Sequence, residues 1–144
     1  MGQRGRTVTP ATLTESLDTV ESLMRPGALT DIQHAASRIR QVMQSECLVE
    51  KTRAGLETAL STVREVRQQI EQEGRANLQT LVSTLSVRNM AQACELVICA
   101  CLNRNETRSA HYRLDHPQTD ASLSHSFVVR RSAQGQPAFE RFVY

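Results

Sequence analysis

Apolar residues recur along this chain at intervals of three and four, the spacing that lines one face of an α-helix. Leu13, Leu17, Val20 and Met24 form the first such stripe, and Thr12-Leu13-Thr14-Glu15 has the spacing of a capping box. Together they predict a short helix over about 13–24, closed by Pro26-Gly27. Thr30-Asp31 suits the N-cap of a second helix over about 31–46, with Ile32, Ala35, Ala36, Ile39, Val42 and Met43 as its stripe. A third helix is predicted over about 50–73. Its Val49, Thr52, Leu56, Ala59, Val63, Val66 and Ile70 alternate steps of three and four in a heptad-like seam, and Gly74 is its stop. The last helical region starts near Arg75-Ala76 with Leu78, Leu81, Val82 and Leu85, slips at Ser86, and restarts as Val87, Met90, Cys94, Val97 and Cys101. The slip predicts two helices meeting at Leu85–Ser86, or one bent helix.

Past Asn105 the helical period stops. Glu106 to Ser122 mixes His, Arg, Asp and Pro without an apolar repeat and reads as a loop. Leu123 to Arg131 alternates around Phe127 and Val129, Gln134-Gly135-Gln136 can turn the chain, and Phe139 to Tyr144 alternates again. This is a weak two-stranded hairpin that needs something to pack on. The fold class predicted is therefore all-α: an antiparallel, spectrin-repeat-like three-helix bundle with an extra N-terminal helix and a small C-terminal β-hairpin. Three segments follow from this reading. They are a leader or linker with a short helix at 1–29, the bundle at 30–105, and a polar loop with the hairpin at 106–144. The heptad-like seam is expected to face its own neighbours in the bundle rather than a coiled-coil partner.

Composition narrows the class further. The 144 residues suffice for one ordinary domain, and an aromatic content of 3% with no Trp leans away from an all-β sandwich. The longest unbroken apolar run is Leu96 to Leu102, far short of the ~20 residues of a membrane span, and no apolar signal region lies near the N-terminus. No membrane span and a cytoplasmic location are expected. Net charge is only +2, and the basic spots at Arg4/Arg6 and Arg130-Arg131 are too sparse to dominate a face, so nucleic acid is not an expected partner. Cys47, Cys94, Cys99 and Cys101 match neither a paired CxxC zinc site nor a disulfide framework, and read as reduced core thiols. No dinucleotide or phosphate-binding glycine loop, zinc-protease motif or nucleophile elbow is present.

One polar cluster is denser than a loop requires. Between Asn103 and Pro117 lie Arg104, Glu106, Arg108, His111, Arg113, Asp115 and His116. A metal or acid–base set of His111, Asp115 and His116 is one reading. The favoured one is an electrostatic latch in which guanidinium forks grip carboxylates and carbonyls, because metal sites rarely tolerate neighbouring cations. In the isolated chain some of these arginines are expected to be solvated, or paired only with nearby acids such as Glu106 and Asp115.

The same stretch resembles the C-terminal helical domain of the FAD-dependent succinate dehydrogenase, fumarate reductase and L-aspartate oxidase flavoproteins. The resemblance rests on Arg88-Asn89-Met90, Glu95, Arg104, Glu106, Arg108, Ala110-His111-Tyr112-Arg113, Asp115 and Pro117, with a fainter match at Met43, Val49, Gly55 and Leu56 and a closing Leu123-Ser124-His125-Ser126-Phe127. It covers about residues 30–144. Leu48 stands where the family has Gly, Glu50 where it has an apolar residue, Lys51 for Arg, Thr107 for Ser, Ser109 for Gly and His116 for Tyr. A side chain at 109 must then adopt the backbone that glycine allowed. The resemblance implies a non-catalytic domain that braces an FAD-binding and capping domain, in the same or a partner polypeptide. FAD would sit in that parent or partner domain and none would be bound here. Arg104, Glu106, Arg108, His111, Arg113 and Asp115 would be interdomain latch residues, with no catalytic, cofactor-binding or metal position carried over. The alternative is a stand-alone helical interaction module, or a separately encoded subunit docking on a flavoprotein.

Overall fold

The computed structural model describes residues 9–28, 30–132 and 136–142. Helices α1 (Pro10–Leu23), α2 (Ile32–Glu46), α3 (Arg53–Glu73) and α4 (Leu81–Asn103) are followed by a C-terminal hairpin of β3 (Ser126–Arg131) and β4 (Pro137–Phe142). This is the helical bundle with hairpin that the periodicity predicts. A two-residue strand β1 (Glu50–Lys51) precedes α3 and pairs in parallel with β2 (Tyr112–Arg113), Glu50 opposite Tyr112 and Lys51 opposite Arg113. In the hairpin Ser126 faces Phe142 and Arg131 faces Pro137. The expected turn at Gln134-Gly135 and the first eight residues, including Arg4 and Arg6, lie outside the described residues.

Local chemistry sets the helix ends. The Asp31 carboxylate accepts from the His34 amide (3.0 Å) at the start of α2, and the Thr52 hydroxyl accepts from the Gly55 amide (3.1 Å) at the start of α3. Gly74 ends α3 without a left-handed backbone: its φ is −58°, and a side chain there would run into the Ile70 carbonyl. The α2, α3 and α4 stripes then meet. Ile39, Leu56, Ala59, Val63, Val66, Ile70, Ala91 and Ile98 are all but sealed from solvent, and the α3 seam faces its bundle neighbours as expected. The start of α2 meets the end of α3, where the Thr30 amide donates to Arg75 O (3.0 Å), so the two run antiparallel.

Several boundaries and faces differ from the expectations. Helix α1 begins at Pro10, ahead of the predicted start at Thr12; a proline fits the first turn because it lacks the amide that would go unbonded there. Its stripe does not face a core. Leu13 and Leu17 are exposed and only Leu23, at its end, is buried. Glu50 and Lys51 leave the predicted helix for β1. Helix α4 starts at Leu81 and runs unbroken through Leu85–Ser86, with the Ser86 hydroxyl folded back onto Val82 O (2.8 Å). The slip marks a different face instead: Thr84, Val87, Ala91, Glu95 and Ile98 are buried, while Leu78 and Val82 are 82% and 73% exposed.

By length and composition α4 could cross a membrane. Its buried side carries Glu95, which accepts from Arg64 Nε (2.8 Å) and from Arg67 Nη1, both on α3. Such a paired charge at the α3–α4 contact marks a helix of a protein core, since a lone carboxylate would be costly to bury.

The stretch read as a loop contains β2 and, before it, a tight turn. Arg108 and His111 exchange both backbone hydrogen bonds (2.9 and 3.0 Å), leaving Ser109-Ala110 as the turn, and Ser109 sits at φ +53°. A residue with a Cβ is strained there by about 1–2 kcal/mol. Ser109→Gly should therefore stabilise the chain by about 0.5–1 kcal/mol, after the extra freedom glycine gives the unfolded chain is counted; a thermal midpoint at or below that of the parent would contradict the strain.

Candidate functional site

The site is built around the C-terminal end of α4, whose last carbonyls need partners. Two side chains supply them. Arg113 Nη1 donates to Cys101 O (3.0 Å) and Arg104 O (3.3 Å), and His111 Nε2 donates to Arg104 O (3.0 Å). Because a carbonyl only accepts, that nitrogen of His111 carries its hydrogen. Positive charge at this end of the helix dipole is favourable. The β1–β2 pairing holds Arg113 in place beneath the helix end, and the Thr107 hydroxyl accepts from the Arg113 amide (2.9 Å) while donating to His116 O (3.0 Å).

The other edge of Arg113 forks onto Asp115, Nε to Oδ1 and Nη2 to Oδ2, both at 2.8 Å. Asp115 also accepts from the Arg53 amide (2.8 Å), the first residue of α3, so one carboxylate joins the end of α4 to the positive end of the α3 dipole. The Arg113 fork, helped by that amide, holds the Asp115 carboxyl well below the usual carboxylate range.

Glu106 is the second hub and is fully buried. It accepts from Arg108 Nε and Nη2 (3.0 Å each), from Arg104 Nη1 and from the Asp120 amide (2.9 Å). Hydrogen bonds from Arg108 first, then from Asp120 N and Arg104, overcome the burial penalty and draw its pKa down to about 2. Arg104 continues outward to Leu123 O (2.9 Å) and His125 O (2.7 Å), and its guanidinium lies over the Phe127 ring at 5.1 Å. That chain of contacts fastens the C-terminal hairpin to the bundle.

All six predicted latch residues thus come together in one network. The pairing of arginines with Glu106 and Asp115 matches the expectation; Arg108 keeps a partly exposed side chain, whereas Arg113 is fully buried and Arg104 is only slightly exposed. Each guanidinium also donates to backbone carbonyls, Arg104 to Leu123 O and His125 O, Arg108 to Asp120 O, and Arg113 to Cys101 O and Arg104 O. His111 and Asp115 are engaged with Arg104 O and Arg113, and no grouping of three metal-ligating side chains occurs among the described residues. Sequence reading missed Lys51, buried with its Nζ on Val49 O (2.8 Å) and Ala110 O (3.3 Å), and it gave Glu95 no role. An arginine in its place within the resembling family was the only signal at 51.

A sequence family described as the fumarate reductase flavoprotein C-terminus matches residues 36–141. The chain belongs to that family. An L-aspartate oxidase of Yersinia pestis is 34% identical over 86 residues, 60% of this chain and 16% of that protein. One chain of a fumarate reductase (CoM/CoB) from Methanothermobacter marburgensis is 25% identical over 122 residues, 81% of this chain and 22% of the other. A quinol fumarate reductase structure from Escherichia coli superposes over 96% of this chain and 26% of its own with a TM-score of 0.79 at 15% identity, which establishes the shared fold. The chain thus spans roughly a sixth to a quarter of the proteins it matches. It is a C-terminal domain of that flavoprotein family.

Two expectations follow from the network. Arg113→Ala should destabilise the chain by about 3 kcal/mol, because it strands Asp115 and two helix-end carbonyls at once. Arg108→Ala should cost clearly less, since Glu106 keeps Arg104 and the Asp120 amide; denaturant unfolding of the two variants checks the order. Glu106 has a folded pKa near 2 against an ordinary 4.5. Its stabilisation is therefore complete above pH 4.5 and lost as pH falls towards 2. Unfolding free energies measured across that window should decline less steeply in Glu106→Gln than in the parent.

Proposed function

We propose that this family member braces the FAD-binding and capping domains of a flavoprotein that oxidises or reduces a small dicarboxylate, with succinate, fumarate and L-aspartate as candidates. The FAD belongs to that parent or partner domain, in a cytoplasmic protein. The described residues of this chain do not fit the cofactor: none of the described glycines forms a loop that could cradle a pyrophosphate, and Gly55 and Gly74 lie against the chain's own Glu46 and Ile70. No step of the redox chemistry is therefore assigned to it.

The observation that carries the docking role is an apolar surface beside the arginine network. Leu48 and Val49 lead into β1, Tyr112 lies in β2 and Leu114 follows it, and all four are exposed. The Tyr112 amide donates to Val49 O (3.3 Å) and the Leu114 amide to Lys51 O (2.9 Å), so these residues sit on one paired unit. Apolar side chains gathered on so short a segment fit a surface that another domain covers. The latch residues Arg104, Glu106, Arg108, His111, Arg113 and Asp115 serve this role by making the unit rigid, and of its arginines Arg108 has the most exposed side chain. A rigid surface binds better because less entropy is lost on docking.

Mixing the chain with its cognate FAD-binding and capping domains tests this. The chain alone should be colourless and should co-elute with a yellow complex once mixed. Val49→Asp and Leu114→Asp should abolish co-elution while changing the chain's own stability by no more than about 0.5 kcal/mol, as exposed sites do. Unimpaired docking of both variants, or a flavin band on the isolated chain, would overturn the reading.

A further inference from the structure

A second group of arginines lies away from the helix-end network, where α3, α4 and the hairpin meet. Arg67 and Glu71 are one turn apart on α3, and Arg88, Glu95 and Leu96 share a side of α4. With the hairpin they enclose a cavity of about 390 Å³, within the size range of small-ligand sites. Two donors in its walls have nothing to bond. Arg67 Nε and Arg88 Nε are buried without a hydrogen-bond partner among the described residues. Arg67 commits Nη1 to Glu95, whose other oxygen takes Arg64 Nε (2.8 Å). Glu71 Oε1 lies 3.8 Å from Arg67 Nε and 3.5 Å from Arg88 Nη2, both longer than a good hydrogen bond. One carboxylate oxygen thus stands near two guanidiniums and satisfies neither Nε.

An unmet buried donor is costly, and a ligand with two acceptor oxygens close together removes that cost twice. A carboxylate has that form. The arginine side chains are 31% and 28% exposed, so each can turn its Nε–H edge towards the cavity. Charge then sets the valence of the ligand. Arg67, Arg88 and Arg130 line the space together with Glu15, Glu71 and Glu95, which leaves its walls neutral. Arg64 and Glu140, which pair with Glu95 and Arg130, cancel as well. A singly charged ligand meets little repulsion there, whereas a dianion would face three carboxylates with no surplus cation. Leu96, Val129 and Pro137 give the same space an apolar side, which a short hydrocarbon body complements. The larger cleft beside α1, about 610 Å³, sets Glu15, Asp18 and Glu71 against Arg88 alone and repels anions.

We propose that the cavity between α3, α4 and the hairpin binds a monocarboxylate with a short aliphatic body. Its two oxygens accept from Arg67 Nε and Arg88 Nε, and its chain lies against Leu96, Val129 and Pro137. The bound molecule joins both helices to the hairpin at a place the helix-end network does not reach.

The test titrates sodium hexanoate into the isotopically labelled full chain at constant ionic strength and follows the backbone amides by NMR. The expected result is a saturable shift of the Arg67, Arg88, Leu96 and Val129 amides, with a Kd of about 1 mM or tighter. Hexanamide keeps the body without the charge, and succinate doubles the charge. Each should bind about tenfold more weakly or worse. Arg88→Gln removes one donor, and Val129→Asp, on the hairpin wall, sets a fourth carboxylate beside the site without touching the bundle. Each should weaken hexanoate binding by about tenfold or more while the rest of the amide spectrum is kept. Shifts that never saturate, or that centre on Leu48, Val49 and Tyr112, overturn the proposal. So does hexanamide or succinate bound as tightly as hexanoate, or full affinity in both variants.

Discussion

Everything at the C-terminal end of this domain depends on one buried guanidinium. Arg113 is enclosed, and its donors reach the last carbonyls of α4 on one side and the Asp115 carboxylate on the other. Asp115 in turn holds the first amide of α3. A single planar fork thus joins the negative end of one helix dipole to the positive end of another. Lysine, a point charge without the fork, could not satisfy both geometries at once. Burying such an ion is costly unless its hydrogen bonds are met, and here the helix ends, themselves short of partners, meet them.

A similar economy operates twice more. Glu106 collects two arginines and a backbone amide in place of water, and through Arg104 it fastens the hairpin, which is too small to persist alone. Glu95 does the same between α3 and α4 with Arg64 and Arg67. These charges explain why α4, the most apolar helix, is not simply greasy on its buried side. They fix which face turns inward and in what register, a use of buried ion pairs that concerns specificity more than raw stability.

The surface left over fits a domain that does not work alone. Leu13, Leu17, Leu78 and Val82 are exposed where the periodicity predicts burial, and Leu48, Val49, Tyr112 and Leu114 are exposed beside the arginine network. Under the proposed docking role, these are the apolar residues that a neighbouring domain would cover.

Helices α2 and α3 were legible from the chain alone, because their apolar periods, caps and stops agree with one another at every level. The latch residues were also legible as a group, since so many arginines and acids in a short polar stretch have few other uses. What they grip was not legible. The partners of Arg104 and Arg113 are backbone carbonyls, which every residue has and no side chain announces. The parallel bridge between Glu50-Lys51 and Tyr112-Arg113 escaped for the same reason: a two-residue strand has no period, and its partner is sixty residues away. On α4 both faces are apolar enough to serve as core, so periodicity could not choose between them. The choice fell to Glu95 and Thr84, whose partners are in place only once α3 has packed and the helix has closed onto Thr80. Sequence determined the helices and the presence of the charge cluster; tertiary structure decided which face and which carbonyls, because buried polar groups take their place from partners that exist only after folding.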